Sequence, residues 1–582
     1  MRSFFKTFLA SFLALIVFCL IVFFILVGVV TALTTKSKPE IASKSILVLD
    51  LGQLYHERMV ESPWSSFSSE NDAPGVFDVI RLINHAKTDN DIVGIYVRAD
   101  DNINGFATSK ELREALLEFK KSKKFVLAYG DRMSQKAYYV ATAADKVYLN
   151  PYGNFDWKGF AVTFAFLKGT LDKLDIKPQI FYAGKYKSAT EMFRTEKMTP
   201  ENKLQTTVWL NAIYQDFLNN ISSSRQIDTS TLHSLANTAA VQTPDDALKY
   251  KLVDGLKYDD QIKDEIKSRA TLGKTDKINF VSVNKYNEAV NFRKYNSNRI
   301  AVIYAEGNIV EGAGSTESIG DDEYVKIIRK ARLDSKVKAI VMRVNSGGGS
   351  ALASENIWRE LNRAKEEGKP VVVSFGDVAA SGGYYISCGA DSIFAEANTI
   401  TGSIGVFGII PDMSGLFKNK LGITFDGVKT APYADAGAIY RPLTSEEQQQ
   451  IKNSIERTYS QFKQRVAAGR KKSVEYIDSI AQGRVWIGSD ALKVGLVDKI
   501  GDLNDAIISA GRMARLNSFM IKEYPENESW LENVLNKKKN EPAESIKQQI
   551  GIDNYKLLQE VMYIKQMTGS AQARLPFDFT IN

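Results

Sequence analysis

The longest uninterrupted apolar stretch lies at the start of the chain. Thr7 to Thr35 contains no charged residue and is mostly Phe, Leu, Ile and Val. Twenty-nine residues at the helical rise give about 43 Å, more than the ~30 Å hydrocarbon core of a bilayer requires. A cleaved signal peptide has a shorter apolar core and a small-x-small site after it; neither fits here. Residues 1–44 are therefore read as an uncleaved single-pass anchor. Arg2 and Lys6 precede the stretch and Lys36 and Lys38 follow it, so flanking charge does not set the orientation. A short cytoplasmic N-terminal tail would leave the body outside.

Beyond the anchor the pattern changes to short apolar runs alternating with mixed-charge segments of helical period. Val93–Val97 and Val337–Val344 read as buried strands. Ser109–Lys121 and Ser354–Glu367 read as the helices after them, and Val371–Phe375 as a further strand. Strands alternating with helices predict an α/β fold with a mainly parallel sheet covered by helices. Thr444-Ser445-Glu446-Glu447 is a capping-box start for a long helix, and Thr199-Pro200-Glu201 opens its counterpart with Pro in the first turn.

These counterparts are part of an internal duplication. Arg98 matches Arg343, Gly130-Asp131 matches Gly376-Asp377, Tyr138-Tyr139 matches Tyr384-Tyr385, and Asp254 matches Asp498, at an offset of 244–246 residues throughout. The chain divides into the anchor (1–44), a first repeat (45–295), a second repeat (296–515) and a C-terminal tail (516–582). The tail is read as having no counterpart in the repeat. It carries the charge run Lys537-Lys538-Lys539 and a short helical pattern from Tyr555 to Met567, and is expected to be a solvated or partner-contacting arm.

Composition adds exclusions. The 582 residues are 44% hydrophobic and 25% charged, which fits a folded protein. The net charge of +7 is a small excess among many charges, and no basic stripe interleaves with aromatics, so nucleic-acid binding is not expected. Two cysteines, Cys19 in the apolar stretch and Cys388 in the body, argue against a disulfide or a cysteine-held metal. Neither a metal nor an organic cofactor is called for.

The two copies differ where chemistry would be expected. After its strand the second copy has Asn345-Ser346-Gly347-Gly348-Gly349-Ser350, where bare backbone N–H groups can face an oxyanion. A tight strand-to-helix turn explains the glycines equally well in isolation. The first copy has Asp101-Asn102-Ile103-Asn104-Gly105, a poor oxyanion loop. The second copy also has Ser381-Gly382-Gly383 between a strand and a helix, where the first has Gln135-Lys136-Ala137. A lone Ser at a helix start is ordinarily a cap, but beside a Gly-rich loop it reads as a nucleophile. The three histidines, His56, His85 and His233, lie in no catalytic spacing, though a triad partner from a distant segment stays open. Lysine is the usual substitute base and must be neutral, which burial can achieve. Phe181 to Ala189 is a weakly charged stretch with two candidates, Lys185 and Lys187. The second copy, near Val428–Ala434, lacks a lysine at the position of Lys187. The residues alone do not choose between the two.

Tyr186-Lys187-Ser188-Ala189, Arg343-Val344-Asn345-Ser346, Ala380-Ser381-Gly382-Gly383-Tyr384, Thr401-Gly402-Ser403-Ile404-Gly405 and Gly495-Leu496-Val497-Asp498 together resemble the signal peptide peptidase A family in its long, duplicated, membrane-anchored form. The resemblance covers roughly residues 45 to 515. It implies two tandem repeats similar to the Clp protease and crotonase fold, with Ser381 as nucleophile, Lys187 as general base and Gly348 or Gly349 together with Gly382 as oxyanion donors. It further implies signal-peptide remnants and other unfolded or membrane-derived peptides as substrates, a bowl-shaped homotetramer, and a single-pass protein of the bacterial inner (plasma) membrane with its body on the extracytoplasmic side. Gly347 departs from the family pattern, which has Pro there. A crotonase-like acyl-CoA enzyme would share the fold without needing the serine, and a non-catalytic membrane scaffold would need neither.

Overall fold

The computed structural model describes residues 2–34, 38–59, 74–290, 292, 295–315, 317–526 and 571–575. The lysine run at 537–539 and the helical pattern from Tyr555 to Met567 lie outside the described residues. The apolar start is one helix, Arg2–Thr34, whose segment Phe4–Val22 is long and apolar enough to cross a membrane and is not buried among the described residues.

The duplication is written into two sheets, the first wholly parallel and the second parallel apart from one antiparallel pair, Ile400–Gly402 with Val485–Ile487. In the first, the strand order is Gly255–Leu256, Lys146–Phe155, Phe125–Met133, Ile92–Arg98, Ser45–Asp50, Phe280–Ser282. In the second, Lys499–Ile500, Ser392–Ala395, Val371–Ala380, Val337–Ser346, Arg299–Glu306 and Met520–Tyr524 neighbour one another in the same sequence. The central strands are buried on both faces. Val337, Ala339, Ile340, Val341, Met342 and Val344 are all fully buried, which is why they read as a continuous apolar run and not as an alternation. Helices cover the faces: Phe106–Lys120 and Ala351–Glu366 follow the matching second strands, close to the expected segments. Both long helices start as expected. Thr199 caps Pro200–Arg225, and Thr444 and Glu447 form a reciprocal capping box on Ser445–Arg470.

One reading is corrected. Within the segment 516–582, Met520–Tyr524 does have a counterpart in the repeat, because it runs parallel to Arg299–Glu306 as Phe280–Ser282 runs parallel to Ser45–Asp50. The match is hidden in sequence because two edge strands need only similar backbone pairing, not similar side chains. Residues 571–575 are also packed into the body, not solvated.

A third sheet joins the repeats. Its order is Ser318–Gly320, Asn308–Val310, Gly348–Ser350, Gln572–Arg574, Val406–Asp412, Lys177–Ala183. The last strand comes from the first repeat and pairs antiparallel with Val406–Asp412 over seven residues, from Val406 opposite Ala183 to Asp412 opposite Lys177. This pairing delivers the Lys185–Lys187 stretch to the second repeat.

A polar clasp reinforces the junction. Asp377, within the strand Val371–Ala380, accepts hydrogen bonds from the backbone N–H groups of Ala107 (2.8 Å) and Thr108 (3.0 Å) and from the Thr108 hydroxyl (2.7 Å). A carboxylate of one repeat thus caps the N-terminus of a fifteen-residue helix of the other. Gly105 permits this approach, since a Cβ there would lie 2.1 Å from the Asp377 carboxyl carbon.

Candidate active site

The strand Val371–Ala380 ends directly at Ser381, and the helix Gly382–Ser387 begins immediately after it. Ser381 sits at the helix start with φ 55° and ψ −112°, a left-handed backbone that L-residues rarely adopt. The turn is held by the Ser381 N–H donating to the Gly402 carbonyl at 2.8 Å. The expectation that such a serine would serve as a cap can be checked directly. Ser381 makes no side-chain cap bond, whereas Ser134, one residue before the matching Gln135, is an ordinary cap accepting from the Ala137 N–H with φ −69°. The strain predicts a stability difference between two variants that both lack the hydroxyl. Ser381→Gly should be more stable than Ser381→Ala by about 1 kcal/mol or more in thermal unfolding, because only glycine relaxes at this φ. Equal stability would show that the backbone is not strained there.

The Ser381 hydroxyl lies 2.7 Å from the Lys187 amine. Both side chains are almost completely inaccessible to solvent. Lys187 follows the junction strand Lys177–Ala183 through a turn at Gly184, whose φ of 103° suits only glycine. The turn is fastened to the second repeat: Tyr186 N–H donates to the Gln482 carbonyl at 2.8 Å. Gln205 on the helix Pro200–Arg225 donates to the Tyr186 carbonyl and the Ser188 hydroxyl, both at 3.1 Å, and accepts from the Val485 N–H at 3.1 Å. Two glycines make room for Lys187. A Cβ at Gly483 would lie 2.6 Å from the Lys187 nitrogen, and one at Gly405 would lie 3.1 Å from its Cδ.

The sequence left Lys185 and Lys187 as alternatives. The structure places Lys185 at the surface beside the Tyr186 ring and brings only Lys187 to Ser381. No histidine hydrogen-bonds Ser381 among the described residues; His56 pairs with Glu306 and His233 with Asn237. Burial drives the Lys187 amine well below the usual lysine range, with no carboxylate partner among the described residues to hold it up.

Sequence reasoning missed one contributor. Ser403 presents its hydroxyl 3.0 Å and its carbonyl 3.1 Å from the Lys187 amine. A neutral amine has two N–H donors and one lone pair. If the two donors serve Ser403, the lone pair is left facing the Ser381 hydroxyl. Ser403 lies in the motif Thr401-Gly402-Ser403-Ile404-Gly405, and its φ of 51° is the local sign that the motif is built for position.

The glycines separate into two groups. Gly348 and Gly382 meet beside Ser381: a Cβ on Gly348 (φ 100°) would fall 2.6 Å from the Gly382 nitrogen. Gly349 is turned the other way, packed against the Ile309 backbone, where a Cβ would come within 1.9 Å of the Ile309 carbonyl oxygen.

In the first repeat the corresponding place is filled. Gln135 donates to the Gly159 carbonyl at 2.9 Å and accepts from the Lys158 and Gly159 N–H groups, both at 2.9 Å. Asn102 and Asn104, where the second copy has glycines, are buried and hydrogen-bonded to each other and to neighbouring backbone.

The chain is 38% identical over 468 residues to Protease 4 of Salmonella typhi, covering 79% of this chain and 75% of the relative. It is 34% identical over 434 residues to the chloroplastic serine protease SPPA of Arabidopsis thaliana, covering 73% and 64%. Among solved structures, a ClpP1 mutant from Listeria monocytogenes matches at 16% identity and a TM-score of 0.24, over 35% of this chain and 94% of that one. The model of peptidase family S49 matches twice, at residues 118–273 and 363–517. One match falls in each repeat, and the chain therefore belongs to peptidase family S49, as a serine peptidase with the family's domain in duplicate.

Proposed function

We propose that the chain is a membrane-anchored endopeptidase that works by a Ser381–Lys187 dyad on signal-peptide remnants and other unfolded or membrane-derived peptides. The observation that carries this reading is the 2.7 Å approach of a buried, uncharged-prone lysine to a serine on a strained turn. Neutral Lys187 takes the proton of Ser381 as its Oγ attacks a peptide carbonyl. The Gly382 amide stabilises the oxyanion, joined by the Gly348 amide once it turns from the Ser346 hydroxyl to which it donates at 3.1 Å; Lys187 returns the proton to the leaving amine, and water releases the acyl group from Ser381. The helix Arg2–Thr34 supplies a single-pass anchor in the bacterial inner membrane with the body on the extracytoplasmic side. Assembly into a homotetramer is part of the same reading, and rests on the family resemblance.

The test is covalent labelling with a fluorophosphonate reagent. The label should map to the peptide containing Ser381. The labelling rate should climb with pH as the neutral fraction of Lys187 grows, with a midpoint below the ordinary lysine value of about 10.4. Labelling at another residue, or a midpoint at the ordinary lysine value, would remove the basis for the dyad.

A further inference from the structure

One side chain bonds the chain on both sides of Lys187. Gln205, buried on the helix Pro200–Arg225, donates to the Tyr186 carbonyl and to the Ser188 hydroxyl, both at 3.1 Å. The same amide reaches the second repeat, where its oxygen accepts from the Val485 N–H at 3.1 Å. Val485 lies opposite Gly402 in the antiparallel pair of Ile400–Gly402 with Val485–Ile487. The Gly402 carbonyl accepts from the Ser381 N–H at 2.8 Å, and the next residue, Ser403, contacts the Lys187 amine through its hydroxyl and carbonyl. Gln205 therefore ties the turn that carries the lysine to the strand pair that sets both neighbours of its amine.

The chemistry of an amide makes this tie directional, because its nitrogen only donates and its oxygen only accepts. A flipped Gln205 would set nitrogen against the Val485 N–H and oxygen against the Tyr186 carbonyl. The orientation is fixed one layer deeper. Glu191 is buried, and its carboxylate accepts from the Asn202 amide at 2.9 Å, from the Thr199 N–H at 3.1 Å and from the Thr199 hydroxyl. With its nitrogen on that carboxylate, Asn202 turns its oxygen to accept from the Gln205 nitrogen and the Thr206 hydroxyl, both at 3.3 Å. The order thus runs from Glu191 through Asn202 and Gln205 to Tyr186 and Ser188. Two neutral amides stand between the carboxylate and the base. A carboxylate placed directly on the turn would favour the ammonium form of Lys187, whereas an amide fixes position and brings no charge.

We propose that Gln205 is the positioning residue of the Lys187 base, with its amide oriented by Asn202 and Glu191. This rests on the Ser381–Lys187 reading above. Gln205 acts through the chain on either side of the lysine, and so sets where the amine meets the Ser381 hydroxyl. A displacement of that turn by about 1 Å would cost on the order of 100-fold in the rate of attack.

The experiment follows the rate of fluorophosphonate labelling at Ser381 against pH, in the full chain purified in detergent, for wild type, Gln205→Met, Gln205→Glu and Gln135→Met. Gln135 is the control, a buried glutamine of the first repeat that likewise bonds backbone at both ends of its amide. Gln205→Met should lower the plateau rate about 100-fold, with the label still on Ser381. Gln205→Glu keeps the length of the side chain and adds a carboxylate beside the turn, so its midpoint should move up by about one pH unit or more. If Gln205→Met does not fold, Gln205→Glu decides by its midpoint alone. Gln135→Met should lose thermal stability and keep the plateau and midpoint of wild type. A Gln205→Met plateau within about threefold of wild type, or an unmoved midpoint in Gln205→Glu, would overturn the positioning role and leave the dyad standing. An equal loss of rate in Gln135→Met would mark the effect as one of general stability and overturn it too. A wild-type protein that takes no label at Ser381 would remove the dyad, and the role of Gln205 with it.

Discussion

Lys187→Met should lower peptidase activity by about four orders of magnitude or more, measured as turnover of an unfolded protein at neutral pH. The substitution preserves the unbranched length of the side chain and removes only the amine that faces Ser381. Ser381→Ala should lose a comparable amount. The double variant should be no worse than either single one, because two groups that act in one step are not additive. A single variant retaining activity near that of wild type would sink the dyad. The same lysine has a second signature in stability. Burial lowers its affinity for a proton in the folded state, so between that lowered value and about 10.4 the unfolded chain binds more protons. The contribution of Lys187 to stability is therefore present above the unfolded value and is lost as pH falls towards the folded one. Lys187→Met lacks this dependence. The difference in Tm should thus move in favour of the variant as pH is lowered from about 10 towards neutrality. A pH-independent difference would mean that Lys187 is not buried as described. Loss of activity together with a gain in relative stability is the mark of a residue kept for chemistry.

Arg343→Met should destabilise the body by about 3–5 kcal/mol in denaturant unfolding. Arg343 is fully buried in the second repeat, and its guanidinium reaches Glu57 at 2.7 Å and Glu111 at 2.8 Å, both in the first. Its two Nη1 donors go to the Ser374 hydroxyl and the Phe375 carbonyl, each at 2.9 Å. The glutamates are equally buried, and burial pushes both carboxyls up while Arg343 draws them down. Removing the arginine leaves two carboxyl groups in apolar surroundings with no cation between them, which costs far more than the intact triad contributes. The duplication supplies the control. Arg98 occupies the matching position in the first repeat but is more than half exposed, 3.5 Å from Asp50. Arg98→Met should change stability by no more than about 0.5 kcal/mol. Because Lys187 and Ser381 belong to different repeats, Arg343→Met should also depress activity under conditions where each repeat still holds its secondary structure. If the two substitutions proved equally mild, the triad would not be what locks the repeats together.

The sequence determined a good deal of this on its own. Continuous apolar runs such as Val337–Val344 can be satisfied only by strands buried on both faces, so the parallel sheet and its covering helices follow from local pattern. The apolar length from Thr7 to Thr35 fixes a long helix by itself. The proposed nucleophile was legible because the duplication offers an internal comparison: glycines and a serine in one copy, Asn102, Asn104 and Gln135 in the other. The structure adds that those three side chains hydrogen-bond where the first copy would otherwise have a site.

What only the tertiary structure decided concerns partners distant in sequence. Lys185 and Lys187 sit in the same weakly charged stretch. Their fates diverge because the pairing of Lys177–Ala183 with Val406–Asp412 aims one inward and leaves the other in solvent. Ser403 had no role of its own in the sequence beyond its place in a family motif; its hydroxyl and carbonyl lie at the amine of a lysine 216 residues away. Residues 571–575 carry no periodicity long enough to read as a strand. They become one only because two open strand edges accept them, and hydrogen bonds of that kind are made by backbone, which leaves no trace in side-chain pattern. Local pattern fixes elements whose burial is decided by their own residues, whereas the Ser381–Lys187 contact and the added strand Gln572–Arg574 depend on contacts between elements.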